Sequence, residues 1–388
     1  MSFQIQTLNN ISKQGLAKLP ATLYTVGDQV TDPAGILVRS ADLHAHPFGP
    51  GLKAIARAGA GVNNIPVEAM SKRGIPVFNA PGANANAVKE LVLSGMLIAV
   101  RNLDAALKYV GGLDPALPDL DAQVEAQKKK FVGSELAGRT LGVVGLGAIG
   151  VKVANAARAL GMQVLGFDPH MTVEGAWRLS SDVVKAGSLN ELYAGSDFIS
   201  FHVPLNNATR GIFSEASLLH LKPGAVLLNF AREGIIDEAA LQAGLASGQI
   251  GRYVSDFPHG EWLKNPRVIA FPHLGASTLE AEENCALMVV DQLRDYLEHG
   301  NITNAVNFPN MKLSRAGQAR VCIANQNRPN MIGQLSHVFG VHGVNIAQMQ
   351  NASRGELAYN IVDVDSPITA NLIAEIAGID GILSVRVL

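Results

Sequence analysis

Arg232, Glu261 and His273 are of types that together can hold a carboxylate and move a proton. Arginine's planar fork meets a carboxylate with two parallel hydrogen bonds. A neutral histidine takes a hydroxyl proton, and its imidazolium returns it. A glutamate on the second ring nitrogen fixes the tautomer and raises the histidine pKa. The set suits removal of the hydroxyl proton from a 2-hydroxy acid. Taken singly, each residue is also an ordinary turn or surface residue. Their placement sets them apart, because each follows a short apolar run. Arg232 follows Ala225–Asn229. Asp256, with Glu261 five positions later, follows Arg252–Ser255. His273, in the stretch FPHLGAST, follows Val268–Phe271. His202 follows Phe198–Phe201 in the same way.

A further run, Leu141–Val144, leads into Gly145-Leu-Gly147-Ala-Ile-Gly150, then a helical spacing, then a strand ending at Asp168. Strand, G-x-G-x-x-G, helix and acidic strand end form a dinucleotide fingerprint. Gly145 permits the tight turn, Gly147 admits a pyrophosphate to the backbone, and Gly150 lets the helix approach the sheet. The helix start offers free N–H groups to phosphate. Asp168 accepts from a ribose diol and repels a 2′-phosphate, which predicts NAD rather than NADP as cofactor.

Alternating strand and helix from about residue 140 implies an α/β fold, a Rossmann-type doubly wound parallel sheet with ligands at the carboxyl ends of its strands. Weaker alternation over Ala34–Val38, Leu52–Ala56 and Pro76–Phe78 predicts a second small α/β lobe. Helices are expected over about 87–110 and 279–299, the second returning the chain to that lobe. The Asn-, Pro- and Gly-rich stretch 300–317 reads as a linker. After it, the order strand-helix-strand-strand-helix-strand predicts a ferredoxin-like unit.

The 388 residues are 48% apolar and 16% charged, with net charge −2. That charge and the lack of a long basic block disfavour nucleic acid. Two cysteines, Cys285 and Cys322, make neither a disulfide framework nor a metal cluster, and fit a reducing, cytoplasmic setting. The start lacks a signal pattern, and the longest apolar run, Leu91–Val100, is too short for a membrane span.

GLGAIG with Asp168, HVPLNNATRG (202–211), NFAREGIIDEAAL (229–241), Asp256 with Glu261, and PHLGAST resemble the D-isomer-specific 2-hydroxyacid dehydrogenases over about residues 30–310. LVRSAD (37–42), RAGAGVNNI and VFNAPGANANAVKELV point within that family to a phosphorylated 2-hydroxy acid as substrate. NQNRPNMIGQLSHVF and GVNIAQ resemble an ACT domain, a small amino-acid-binding regulatory fold.

The resemblance implies a discontinuous, flavodoxin-like substrate lobe (1–92 and 283–310), an NAD domain (93–282), a linker (311–317) and an ACT domain (318–388). It makes Arg232, Glu261 and His273 catalytic. It places NAD contacts on Ala148, Ile149, Asp168, His202, Phe230, Ala231, Arg232, Asp256, His273, Gly275 and Ala276. Substrate contacts fall on Arg39, Ser40, Asn84 and the backbone near Gly61 and Val62, with Lys128 reaching across a dimer to phosphate. Asn325, Asn327 and Asn345 would bind L-serine as effector. A homodimer or homotetramer is implied.

The chain departs from the family in its 256–262 loop, Asp-Phe-Pro-His-Gly-Glu-Trp, and at Asn325 and Asn330, where histidine and glycine are usual. Two other readings fit the same residues. One is a dehydrogenase for glyoxylate, lactate or 2-hydroxyglutarate, and the other is an NAD-sensing corepressor-like protein without catalysis.

Overall fold

The computed structural model describes residues 2–116 and 118–388. They form two compact units: 85–278, and the chain up to Asn84 together with Leu279–Leu388. The discontinuous unit begins with β1 (Phe3–Leu8), β2 (Tyr24–Gly27), β3 (Gly35–Val38), β4 (Ala54–Arg57) and β5 (Val77–Phe78). They make a parallel sheet in the order β2-β1-β3-β4-β5, the flavodoxin-like winding. β3 and β5 are buried along their whole length, as parallel strands covered on both faces are. Sequence patterning does not single out β1. Its Gln4 and Gln6 flank Ile5, which alone is fully buried.

The continuous unit starts with the helix Ala85–Val100. The single helix expected over 87–110 is broken, and a second piece covers Leu103–Gly111. The cause is Asn102, whose φ of +51° is left-handed. Its amide donates to the Val132 carbonyl at 3.0 Å and accepts from Arg252 at 2.7 Å, which stabilises the break. The sheet comprises β6 (Thr140–Val144), β7 (Gln163–Phe167), β8 (Val184–Lys185), β9 (Phe198–Phe201), β10 (Ala225–Asn229), β11 (Ile250–Ser255) and β12 (Val268–Ala270). The order β12-β11-β10-β9-β6-β7-β8 is wholly parallel and reverses direction of winding between β9 and β6. Such a switch point opens a crevice at the carboxyl ends of the strands.

The helix Leu279–His299 re-enters the discontinuous unit and buries Cys285, Val289, Leu293, Tyr296 and Leu297. The stretch read as a linker is tied down. Ile302 bridges Met311, Leu313 N–H donates to Asn301 at 3.1 Å, and Ala316 N–H donates to Asp363 at 2.8 Å. The last four strands are β13 (Ala319–Gln326), β14 (Ile346–Arg354), β15 (Leu357–Val364) and β16 (Ile382–Val387). Their order, β14-β15-β13-β16, is the expected ferredoxin-like one.

One face of this sheet, with Val321 and Ile323, packs on the helices Met331–Val341 and Ala370–Ala377. The other face is covered too. Cys322, Ala324, Tyr359 and Ile361 share one core with Ile5, Phe78, Leu293, Tyr296 and Phe308. Arg320, fully buried, forks onto Asp363 at 2.6 and 2.8 Å and donates to the His299 carbonyl at 2.8 Å. Arg386 lies 4.4 Å from the centre of the Tyr296 ring and donates to the Tyr296 and Leu297 carbonyls. The two cations thus cap the carboxyl end of Leu279–His299, where free carbonyls and the helix dipole favour positive charge.

Candidate active site

Gly145 takes φ +90°, and a Cβ there would meet the His202 carbonyl oxygen at 2.8 Å. A Cβ on Gly150 would lie 1.9 Å from the Gly145 carbonyl oxygen, so the helix Ala148–Ala159 can sit this close only with glycine. Gly147 differs, because nothing lies within 4 Å of its Cβ position. It is the N-cap of that helix and no side chain caps it. Gly147 and Ala148 are exposed. The loop therefore presents uncapped N–H groups to an open cradle, which fits a pyrophosphate. Asp168 accepts from Leu146 N–H and His170 N–H, each at 2.8 Å, which holds the carboxylate beside the loop. Next to it a groove of about 340 Å³ is lined by Leu146, Met171, Val173, Leu179 and Val183, apolar walls suited to a flat base.

The exits of β10, β11 and β12 hold one another through buried polar groups. Asn229, 2% exposed, donates to the Arg232 carbonyl at 2.9 Å and accepts from Ala231 N–H at 3.2 Å. Sequence reading missed this residue. Its signal was a polar side chain closing the otherwise apolar strand Ala225–Asn229. Arg232 is exposed, and its guanidinium donates to the Ala231 carbonyl at 2.6 Å. Asp256, 1% exposed, has both oxygens engaged, accepting from Leu274 and Gly275 N–H at 2.7 Å each. Its carbonyl accepts from His273 N–H at 3.1 Å. Asp256 therefore clamps the turn that carries His273. His273 is held at φ +57°, a conformation uncommon outside glycine. Strained backbone of this kind collects at functional sites.

Two expectations change here. Glu261 is exposed, and no hydrogen bond or ion pair joins it to His273 among the described residues. Phe257 instead packs edge-on against the His273 ring at 5.1 Å, while Trp262 turns to Tyr253 at 6.0 Å. His202 faces inward, with its Nε2 2.8 Å from the Ser200 hydroxyl and its Nδ1 without a partner. Desolvation pushes its pKa down to about 3, so it stays neutral at physiological pH. The ring of Phe230 is buried in the core beside Phe271, which leaves only its backbone for a cofactor. Gly275 is buried and Ala276 exposed.

The expected substrate residues lie in the discontinuous unit, except Lys128. Arg39 pairs with Glu282 at 2.5 Å, and Ser40 N–H donates to Asn9 at 3.2 Å. Gly61 and Val62 lie in the loop between β4 and the helix Val67–Lys72, and Asn84 closes the unit's first segment. Lys128 is exposed and paired with Glu125 one helical turn back.

The three asparagines expected to bind serine do not meet within one chain. Asn325 is 1% exposed and spends its amide on the Gln326 carbonyl (2.6 Å) and Asn360 (2.7 Å). Asn345 donates to Asp365 at 2.6 Å, beyond the Ala319–Val364 end of the β13–β15 pair, whereas Asn327 lies past the Gln326–Leu357 end.

A doubly wound sheet, a glycine-rich loop at an uncapped helix start and an acidic β7 exit mark a dinucleotide-binding domain. Residues 96–275 match the NAD-binding domain of the D-isomer specific 2-hydroxyacid dehydrogenases, and the chain belongs to that family. It is 32% identical over 354 residues to D-3-phosphoglycerate dehydrogenase of Haemophilus influenzae, covering 87% of this chain and 82% of that one. It is 39% identical over 275 residues to D-3-phosphoglycerate dehydrogenase of Methanocaldococcus jannaschii, covering 69% of this chain. The match spans only 50% of that longer protein. A solved NAD+-bound 3-phosphoglycerate dehydrogenase of Entamoeba histolytica superposes with a TM-score of 0.61 at 26% identity, over 79% of this chain and 99% of the other.

Asp168→Ala is expected to weaken NAD about 10–100-fold, the value of a charge-assisted hydrogen bond, and to narrow the NAD/NADP affinity ratio. Fluorescence titration with both nucleotides checks it, and an unchanged ratio would show that another residue reads the ribose.

Proposed function

We infer that this chain oxidises 3-phospho-D-glycerate to 3-phosphohydroxypyruvate with NAD, the first step of L-serine biosynthesis. The observation that carries this reading is the His273 turn, clamped by Asp256 at the carboxyl edge of the sheet that bears the phosphate cradle. Held at the Gly145–Gly150 loop and Asp168, NAD would supply the hydride acceptor for the substrate's C2. Arg232, whose backbone Asn229 fixes, holds the substrate carboxylate. His273 accepts the hydroxyl proton as the carbonyl forms, and returns it in the reverse direction. Glu261 pairs with the protonated ring once substrate draws the 257–265 loop inward; catalytic hydrogen bonds often close only in the substrate complex. Arg39 holds the phosphate, exchanging its ion pair with Glu282 for the substrate's charge.

The functional assembly is a homodimer or homotetramer. Serine feedback through Asn327 and Asn345 requires two chains, because each chain puts them at opposite ends of its sheet.

Steady-state NADH formation with a panel of 2-hydroxy acids tests the substrate. Turnover is expected with 3-phosphoglycerate, and with phosphohydroxypyruvate in reverse. Efficient turnover of lactate, glycolate or 2-hydroxyglutarate, with none of the phosphorylated pair, would overturn the assignment.

A further inference from the structure

The cation assigned to the substrate's phosphate already holds an anion. Arg39 directly follows β3, and its Nη2 donates to the Glu282 carboxylate at 2.5 Å. Arg39 makes no other ion pair among the described residues. Glu282 stands in the first turn of the helix Leu279–His299, where the helix dipole favours negative charge. The two side chains are 34% and 37% exposed, so the pair is open to an arriving ligand yet screened less than a pair in bulk water.

One nitrogen of the guanidinium carries this contact, and the other donors of the fork remain. A phosphate reaching Arg39 therefore has two ways to bind. It displaces Glu282 and loses the worth of the pair it breaks. Or it settles on the remaining donors and lies beside a carboxylate of its own sign. A phosphate carries a charge of about −1.5 to −2 at neutral pH, so that repulsion exceeds what a second carboxylate would meet. Either way the hold on a phosphorylated ligand is weaker than the guanidinium alone would give. A ligand with an uncharged tail neither breaks the pair nor meets the repulsion.

We propose that Glu282 is an internal competitor for Arg39: it occupies the guanidinium in the empty site and weakens the binding of phosphorylated ligands by the exchange it forces. The proposal rests on the reading that Arg39 meets the substrate's phosphate. Substrate and product share that phosphate, so both bind less tightly. Product then leaves sooner, since affinity differences among related complexes fall mostly on the off-rate. A pair that served only to align Arg39 would act in the opposite direction, because its loss would weaken phosphate binding.

The test is steady-state kinetics on the full chain with 3-phosphoglycerate, with phosphohydroxypyruvate in reverse, and with D-glycerate, the same acid without the phosphate. Glu282→Gln is expected to lower KM for both phosphorylated ligands about three- to tenfold, the range of a partly exposed ion pair plus the like charge removed. It leaves kcat/KM for D-glycerate within about twofold. Glu282→Asp, which keeps the charge, returns KM toward that of the parent chain. Asp291→Asn, which removes a carboxylate of the same helix that pairs with Lys18, leaves KM unchanged. A KM that rises or stays in Glu282→Gln would overturn the proposal, as would an equal gain with D-glycerate or in Asp291→Asn. Arg39→Ala separates this from the reading beneath it. If that variant leaves KM for 3-phosphoglycerate unchanged, or the parent chain turns over neither phosphorylated ligand, Arg39 does not hold the phosphate and both fall. If Arg39→Ala raises KM and Glu282→Gln does not lower it, the reading stands and the proposal alone fails.

Discussion

His273→Asn is expected to lower kcat by about 10²–10⁴, the usual worth of positioned proton transfer, while leaving the fold and NAD affinity nearly intact. Asparagine is the informative replacement. The backbone at this position has φ +57°, which asparagine adopts more readily than alanine, so lost activity cannot be blamed on a collapsed turn. Asparagine keeps a hydrogen-bonding group but cannot exchange a proton near neutral pH. Asp256 continues to hold Leu274 and Gly275, so the turn stays in place. Steady-state turnover beside an NAD titration reads the outcome. Turnover within threefold of the parent chain would remove His273 from the proton-transfer role.

Deletion of residues 318–388 is expected to destabilise the remaining chain by roughly 10 °C or more in Tm, or to leave it insoluble. The cut strips Tyr359 and Ile361 from the core they share with Tyr296 and Phe308. Each large apolar side chain moved from core to water costs about 1.5–3 kcal/mol, and each kcal/mol lowers Tm by about 2–4 °C in a chain of this size class. The cut also removes Arg320 and Arg386, which between them satisfy the carbonyls of Tyr296, Leu297 and His299. Differential scanning calorimetry of the two chains checks this. Equal melting temperatures would show that the C-terminal sheet contributes nothing to the lobe beneath it.

The rim that carries Arg232, Asp256 and His273 was legible because parallel strands deliver their exits at one edge. Runs such as Ala225–Asn229 and Val268–Phe271 announced their exits, and glycine spacing announced the cradle. Three things were not legible. The break at Asn102 depends on a bond from Arg252, 150 positions away in sequence. The inward turn of His202 depends on Ser200, and a histidine after a strand looks the same whether it faces ligand or core. The docking of the C-terminal sheet had a signal that went unused. Ala319-Arg-Val-Cys-Ile-Ala-Asn places Val321 and Ile323 on one face and Cys322 and Ala324 on the other. A strand apolar on both faces is covered on both. The Arg320–Asp363 pair hid this, since a charge in a strand ordinarily marks the wet face.

The sharing of one core by Ile5, Leu293 and Ile361 also fixes an order of events during synthesis. The nucleotide-binding unit is continuous in the chain, from Ala85 to Thr278, and has all its strands once those residues have left the ribosome. The lobe begun ahead of that unit can close only after it, for its core is completed by residues that follow Thr278. Until the residues of β13 and β15 have been made, β1–β5 wait with an unfinished apolar face, and a face of that kind is open to premature association.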